Sequence, residues 1–443
     1  MVSASFPSDA RSSATAEGVV RPYDDQLMTQ ARAEAERGRG RTSPNPVVGA
    51  LIVDESGDVP RVVSRGHHIL AARDHAEVAA LRPLGGRAPG MTLYVTLEPC
   101  NHVGRTGRCT DAILAAGITR VVCGMRDPNP HVTGGGIERL RAAGVQVVQG
   151  VQDAACRSQN RGFLRAMTQG RPQVLLKAAL SLDGRMAPPA ARDAVAAPIW
   201  LTGAESRAMA HRLRAANDAI LVGSGTVLAD DPQLSVRLPP QVDEDGREIA
   251  WPQPLRVVVD GRLRAPQLAK LAGPGTLWVT RTATLQAQAD KVAKLRAQGC
   301  EVLGQDAAQS AAQPATRTGI DLHVLLRDLC QRGVHYVMCE GGSTLHGALL
   351  AAGLVDEVAL FVAPLFLGDQ GLPFLRGLCV PTLATAPWLS GLVVDRLGND
   401  LWLRGDLQPG PYRPSAEAPI PSLSGERRSD TAQSPALPHA DKG

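Results

Sequence analysis

The sequence predicts two consecutive α/β domains, and three observations point there. Its 443 residues exceed the ~100–200 typical of one domain. Short runs of Val, Leu and Ile alternate with helix-forming stretches over most of the chain, as in layered α/β architectures. A Gly170-Arg171-Pro172 break separates two such series and marks a boundary.

Residues 1–20 are small and polar and are expected to form a disordered tail. A first domain over 21–169 opens with a helix at 24–37 and a buried strand at 47–53. A helix start at 74–81, a strand at 92–97 and a helix at 109–116 follow. Strand 120–123, helix 137–143 and strand 145–148 close the series. A second domain over 170–405 carries strands at 174–180, 219–222, 255–260, 276–280, 334–339 and 357–362, with helices at 204–216, 286–297 and 324–332. The Pro-rich stretch 238–254 reads as a surface excursion, and 406–443, rich in Pro, Ser and charge, as a second disordered tail.

Composition narrows the function classes. Hydrophobic residues make up 44% but aromatics only 3%, so Val, Leu and Ala must fill the cores. Net charge is +4 with Arg scattered rather than clustered, which suits small anionic substrates and predicts no nucleic-acid partner. No apolar run reaches the ~18 residues of a membrane span. The first 20 residues lack the apolar core of an export signal. Eight cysteines are too few for a disulfide scaffold and are expected to be reduced, in the cytoplasm.

The strongest chemical signal is His75-Ala76-Glu77, followed by Glu98-Pro99-Cys100 and then Cys109. One imidazole and two thiolates make three ligands of a tetrahedral zinc site, with the fourth position left for water, as in catalytic sites. Zinc lowers the pKa of such a water to roughly 7. A proton carrier is then needed, and Glu77 has the type and spacing for it. The pieces match the pattern of zinc nucleobase deaminases. A structural zinc site with His102 as fourth ligand is the alternative. Eight residues, NHVGRTGR, separate the thiols, so a loop must leave and return; its His102 and Arg105 are placed to meet substrate. His67-His68 reads as a loop pair, with proximity to the zinc as the other possibility. The remaining cysteines (Cys123, Cys156, Cys300, Cys330, Cys339 and Cys379) have no ligand spacing and are expected in cores.

HAE, VTLEPCNHVGRTGRC, the upstream SPNPVVGA and the downstream MRDPNPHVTGGG together resemble the deaminase domain of the bifunctional riboflavin-biosynthesis enzymes. The resemblance implies a cytidine-deaminase-like three-layer domain, zinc on His75, Cys100 and Cys109, and Glu77 as proton carrier. It also implies substrate contacts from Asn45, Asp127 and Asn129. Gly107-Arg108 stands where that family usually has a Pro pair, which alters loop stiffness but not the ligands.

In the second half, a strand running into Glu340-Gly341-Gly342-Ser343-Thr344-Leu345 can turn backbone N–H groups towards a phosphate at a helix start, or be only a tight turn. It matches neither the dinucleotide fingerprint nor a P-loop. KAALSLDGR from Lys177, IWLT from Ile199, Leu213-Arg214 and VGSGTVLADDP from Val222 occur in order. This series is similar to the reductase domain of the same family, which has a dihydrofolate-reductase-like fold. The resemblance implies NADPH contacts from Ala179, Trp200, Thr226, Asp230, Gly261, Gly342, Ser343, Thr344, Leu345, His346, Gly347 and Ala348. Substrate contacts fall on Pro198, Arg214, Leu234, Arg237 and Glu340, with either Asp230 or Lys177 relaying a proton. Arg214 and Arg237 suit phosphate because guanidinium forks bind it bidentately. Pro198 replaces a hydrogen-bonding side chain, and 186–197 is longer and richer in Ala and Pro than usual. The expected activity is deamination of a pyrimidine ribotide followed by reduction of its ribosyl group, by a homo-oligomer using Zn2+ and NADPH. A nucleic-acid or cytidine deaminase, and a second half that only binds nucleotide, are the rival readings.

Overall fold

The computed structural model describes residues 18–69, 74–102, 107–128, 135–189, 200–242, 246–306 and 319–408. Most of both expected tails, 1–17 and 409–443, lies outside the described residues.

The first domain is built on a five-stranded sheet of β1 (Gly49–Asp54), β2 (Arg61–His67), β3 (Thr92–Leu97), β4 (Arg120–Met125) and β5 (Gln146–Gln149), in the order β2-β1-β3-β4-β5. β1 pairs antiparallel with β2 and β3, whereas β3, β4 and β5 run parallel. Every residue of β3 and β4 is buried, as expected for strands covered on both faces. Helix Asp24–Glu36 supplies Leu27, Met28 and Ala31 to this core. Its start is pinned by Arg120, whose Nη2 lies 2.7 Å from Asp24 Oδ2, with Tyr94 Oη donating to Asp24 Oδ1 at 2.6 Å. The residue pattern predicts no element at 61–67. RVVSRGH is an edge strand with partly exposed residues, so it lacks the continuous apolar run of its neighbours.

The second domain holds a nine-stranded sheet. Its strands are β6 (Gln173–Ser181), β7 (Ala219–Gly223), β8 (Leu255–Val259), β9 (Thr276–Arg281), β10 (Glu301–Gln305), β11 (Tyr336–Gly341), β12 (Glu357–Ala363), β13 (Trp388–Leu397) and β14 (Asp400–Gln408). The order is β10-β9-β8-β7-β11-β6-β12-β14-β13, parallel from β10 to β12 and closed by the antiparallel hairpin β13–β14. Side chains alternate between two cores, Val174 and Leu176 entering one and Leu175 the other, as the two-residue period of a strand requires.

Several expectations need correction. The helix expected at 286–297 is two, Thr282–Ala287 and Ala289–Ala297. The hairpin β13–β14 was not anticipated, because Leu392, Val393 and Val394 on its outer strand are exposed and show no clean alternation. β14 also carries ordered backbone to Gln408, so 406–408 belong to the fold rather than to a tail. Within 238–254 a small hairpin pairs Gln241–Val242 with Glu248–Ile249. Helix Arg161–Gln169, placed by sequence in the first domain, sets Phe163 against His335 of the second, with ring centroids 6.1 Å apart. Cys123, Cys156, Cys300 and Cys339 are buried as expected, but Cys330 is half-buried and Cys379 is exposed.

Candidate active sites

The first site forms where two helices begin beside the end of β3. His75 has extended backbone (φ −69°, ψ 161°) as the cap of helix Ala76–Leu81, which places Glu77 in the first, buried turn. Cys109 opens helix Cys109–Ala116, and Cys100 lies three residues beyond β3. The ligand atoms of His75, Cys100 and Cys109 all lie within 4.8 Å of one another. His75 Nδ1 is 3.1 Å from Cys109 Sγ and 3.5 Å from Cys100 Sγ, and the Cys109 backbone N–H donates to Cys100 Sγ at 3.4 Å. This imidazole and two thiols are a donor set that fits zinc. His102, the alternative fourth ligand, is exposed and outside the group, which removes the main support for a structural site.

The electrostatics suit that role. A hydrogen bond from the Cys109 thiol holds Cys100 down to about 4, with help from His75, while Cys109 itself is pushed up by sharing that bond. Such a pair gives up its first proton readily. Burial pushes the Glu77 carboxyl above its ordinary range, opposed by His75, the direction expected of a carboxyl that must hold a proton for part of the reaction.

Around this centre Asn45 Nδ2 lies 3.0 Å from His68 Nε2, and the rings of His68 and His75 meet edge to face at 5.5 Å. His68 follows β2 as a loop residue and is also a buried neighbour of a ligand, the second of the two readings of the pair, whereas His67 is the last residue of β2. Its partner His67 bonds Glu34 through Nδ1 at 2.7 Å. Glu98 accepts from the backbone N–H groups of Asp127 (3.3 Å) and Ile137 (3.4 Å) and so ties down the loop after β4. The sequence marks Glu98 as part of the Glu-Pro-Cys motif but does not show that its carboxylate meets the backbone of Asp127 and Ile137. Asn129 and Arg105 lie outside the described residues.

The second site is a cavity of about 1490 Å³ at the C-terminal ends of the parallel strands, the edge at which open α/β sheets take ligands. It brings together Ala179, Trp200, Thr226, Asp230, Gly261 and Gly342 to Leu345 with Arg214, Leu234, Arg237 and Glu340. His346, Gly347 and Ala348 are not among its lining residues. His346 is fully buried against Phe374, and Gly347 packs on the backbone of Arg376. Pro198 lies outside the described residues. A Cβ at Gly341 or Gly342 would sit 3.2 Å from Thr226 Oγ1, so the absence of side chains keeps this floor open below helix Ser343–Ala351. An anion or dinucleotide phosphate fits such a turn.

At one side of the cavity Arg214 grips Glu340, with Lys177 Nζ 3.7 Å from Glu340 Oε2. Burial alone pushes the Glu340 carboxyl up, but Arg214 and then Lys177 outweigh it and bring it down to about 2. Burial lowers Lys177 and raises Asp230. Arg207, unmarked in the sequence among many arginines, stacks over the exposed Trp200 ring at 5.2 Å.

Comparison with known proteins agrees with both halves. The zinc-binding region of cytidine and deoxycytidylate deaminases matches residues 22–125, and the RibD C-terminal domain matches 172–386. The riboflavin biosynthesis protein RibD of Escherichia coli (strain K12) is 39% identical over 374 residues, covering 82% of this chain and 94% of that protein. The Aquifex aeolicus (strain VF5) counterpart is 37% identical, covering 79% and 90%. Among solved structures, Acinetobacter baumannii RibD has 35% identity and a TM-score of 0.72, covering 87% of this chain and 99% of that one. A diaminohydroxyphosphoribosylaminopyrimidine deaminase/5-amino-6-(5-phosphoribosylamino)uracil reductase from Thermotoga maritima has 30% identity and a TM-score of 0.69, covering 87% and 98%. The chain belongs to the RibD family of riboflavin-biosynthesis enzymes, which join a zinc-dependent deaminase of cytidine-deaminase-like fold to an NADPH-dependent reductase.

Proposed function

We propose that the first domain deaminates 2,5-diamino-6-ribosylamino-4(3H)-pyrimidinone 5′-phosphate, and that the second reduces the product's ribosyl group to give 5-amino-6-ribitylamino-uracil 5′-phosphate. The observation that carries this reading is the meeting of His75, Cys100 and Cys109 within 4.8 Å, beside the buried carboxyl of Glu77. His75, Cys100 and Cys109 would hold zinc, which when bound would supply an activated water at neutral pH. Glu77 takes a proton from the attacking water and passes one to the departing amino nitrogen, so ammonia leaves and a carbonyl remains. Asn45 and Asp127 orient the pyrimidine from the turns on either side.

In the second domain Gly342, Ser343, Thr344 and Leu345, with Ala179, Trp200, Thr226, Asp230 and Gly261, would hold NADPH, which would supply the hydride. Glu340 and Arg214 hold the substrate with Leu234, and Arg237 meets its phosphate; Pro198 can contribute only its carbonyl or its ring. The ring oxygen released on reduction of ribosyl C1′ would need a proton. Lys177 is better placed than Asp230 to give it, because its ammonium lies beside Glu340 and burial makes it more acidic. The functional units are 21–169 and 170–405, flanked by the tails 1–20 and 406–443. The family matches at 22–125 and 172–386 support that division. We assign the enzyme to the cytoplasm as a homo-oligomer acting without nucleic acid or membrane. Eight unpaired thiols suit a reducing compartment, and no described helix is long and apolar enough to cross a membrane.

Purified protein incubated with the diamino ribotide, with and without NADPH, tests the whole reading. Ammonia should appear in both reactions and the ribityl product only with NADPH. Ammonia from single-stranded RNA but not from the ribotide would overturn the first half; NADPH bound without turnover would overturn the second.

A further inference from the structure

His68 is buried, carries no role in the chemistry above, and makes two hydrogen bonds whose partners differ in kind. Its Nδ1 lies 3.1 Å from the backbone carbonyl of Asp74, and its Nε2 lies 3.0 Å from Asn45 Nδ2. A carbonyl oxygen can only accept, so Nδ1 carries the proton. In the neutral ring Nε2 is then an acceptor, and the Asn45 amide must turn its NH2 towards it. That choice fixes which end of an otherwise symmetrical amide faces outward. Among the described residues Asn45 Oδ1 has no protein partner, and Asn45 is only half-buried. The oxygen is thus free to accept from a ligand. The edge-to-face contact of His68 with His75 at 5.5 Å puts this arrangement directly beside the metal ligands.

We infer that His68 is a positioning residue of the deaminase, locking the Asn45 amide so that its carbonyl oxygen is presented to an N–H donor of the diaminopyrimidine. The inference rests on the reading of Asn45 as a substrate contact. His67 does the purely structural part of the pair's work by bonding Glu34 on the first helix. With His68 replaced by an apolar side chain, the amide can turn over and offer NH2 where the substrate also has a donor. Ground-state and transition-state binding then weaken together, which raises KM and leaves kcat largely alone.

The test compares His68→Leu, His68→Gln, Asn45→Ala and the double variant His68→Leu/Asn45→Ala in the full chain. Ammonia release, zinc per chain and melting temperature are measured for each. His68→Leu should raise KM for the diamino ribotide about tenfold, the scale of one lost hydrogen bond, with kcat within about twofold and zinc unchanged. His68→Gln puts an acceptor back near the Nε2 position and should stay within about threefold of the parent. The double variant should be no worse than Asn45→Ala alone, since both remove one interaction. If Asn45→Ala raises KM while His68→Leu does not, or if the two losses multiply, the positioning role is wrong and the contact stands. If Asn45→Ala leaves KM unchanged, the contact fails and takes the inference with it. Loss of zinc or of melting temperature in both His68 variants without a change in KM would make His68 structural only.

Discussion

Arg214 closes on Glu340 with both prongs of its guanidinium, Nε to Oε1 at 2.5 Å and Nη2 to Oε2 at 2.9 Å, on the wall of the reductase cavity. The two residues are 126 positions apart in the chain. Helix Ala204–Ala215 brings one and the end of β11 brings the other. A bidentate pair of this kind holds both groups in one plane and keeps the carboxylate ionised. Lys177 Nζ lies 3.7 Å from the same carboxylate as a second cation.

Arg214→Ala should therefore damage the second activity more than the first. It leaves a buried carboxylate with Lys177 alone, a loss of about 3–5 kcal/mol when a buried pair is broken from one side. NADPH oxidation with deaminated substrate should fall by about 100-fold or more, while ammonia release from the diamino ribotide stays near the parent rate. Equal loss of both activities would mean that the pair supports the whole chain rather than the cavity.

Glu77→Gln keeps the size of the side chain and removes its proton chemistry. Ammonia release should drop by about 100- to 10,000-fold, the usual contribution of a positioned acid–base group. Zinc measured by atomic absorption should remain bound, because His75, Cys100 and Cys109 are intact. Cys109→Ala, by contrast, should lose zinc and ammonia release together, with NADPH oxidation of deaminated substrate retained. The two domains have separate cores, so damage to the first metal site need not reach the second.

Stability should fall as pH drops from about 6.5 towards 4. His335 and His346 are buried, and burial holds each imidazole down to about 4 from an ordinary value of 6.5. The unfolded chain binds more protons across that window, so stability is complete above pH 6.5 and is lost as pH falls through the folded values. Each ring contributes up to about 3 kcal/mol to this slope. Chemical denaturation at pH 7.5, 6, 5 and 4.5 checks it, and His335→Phe should flatten the decline. An unchanged slope in that variant would remove His335 from the explanation.

Gly347→Ala should act on stability and leave the cofactor alone. A Cβ at Gly347 would run into the carbonyl oxygen of Arg376, and the strain of such overpacking is about 1–3 kcal/mol. For a domain of this size each kcal/mol lowers the melting temperature by about 2–4 °C, which calorimetry resolves. The dissociation constant for NADPH, measured by fluorescence at a temperature where the variant is folded, should stay within about twofold.

Much of this was legible from residue order. The strands 92–97 and the helix 109–116 match Thr92–Leu97 and Cys109–Ala116 residue for residue. The first is fully buried and made of the strand formers Thr, Leu, Tyr and Val; the second starts sharply at a ligand. Elements with weak local pattern were missed: the edge strand Arg61–His67, and the hairpin β13–β14 with its exposed Leu392 and Val394. A strand at a sheet edge needs apolar residues on one side only, and here even that side is partly open.

The sequence by itself determined the metal chemistry, because an imidazole and two thiols with a nearby carboxyl are rare residue types in a fixed order, and their meaning survives without coordinates. Only the tertiary structure decided which ordinary residues join them. His68 becomes the neighbour of His75, Glu98 the anchor of the loop at Asp127, and Lys177 the companion of Glu340, all through contacts between separate elements. The same holds for what is left out, since His346 and Gly347 follow the Gly-rich turn in sequence but rotate away from the cavity within one turn of helix. Chemistry carried by scarce side chains can be read along the chain, whereas the choice among many similar arginines, glutamates and histidines is made only when distant segments pack together.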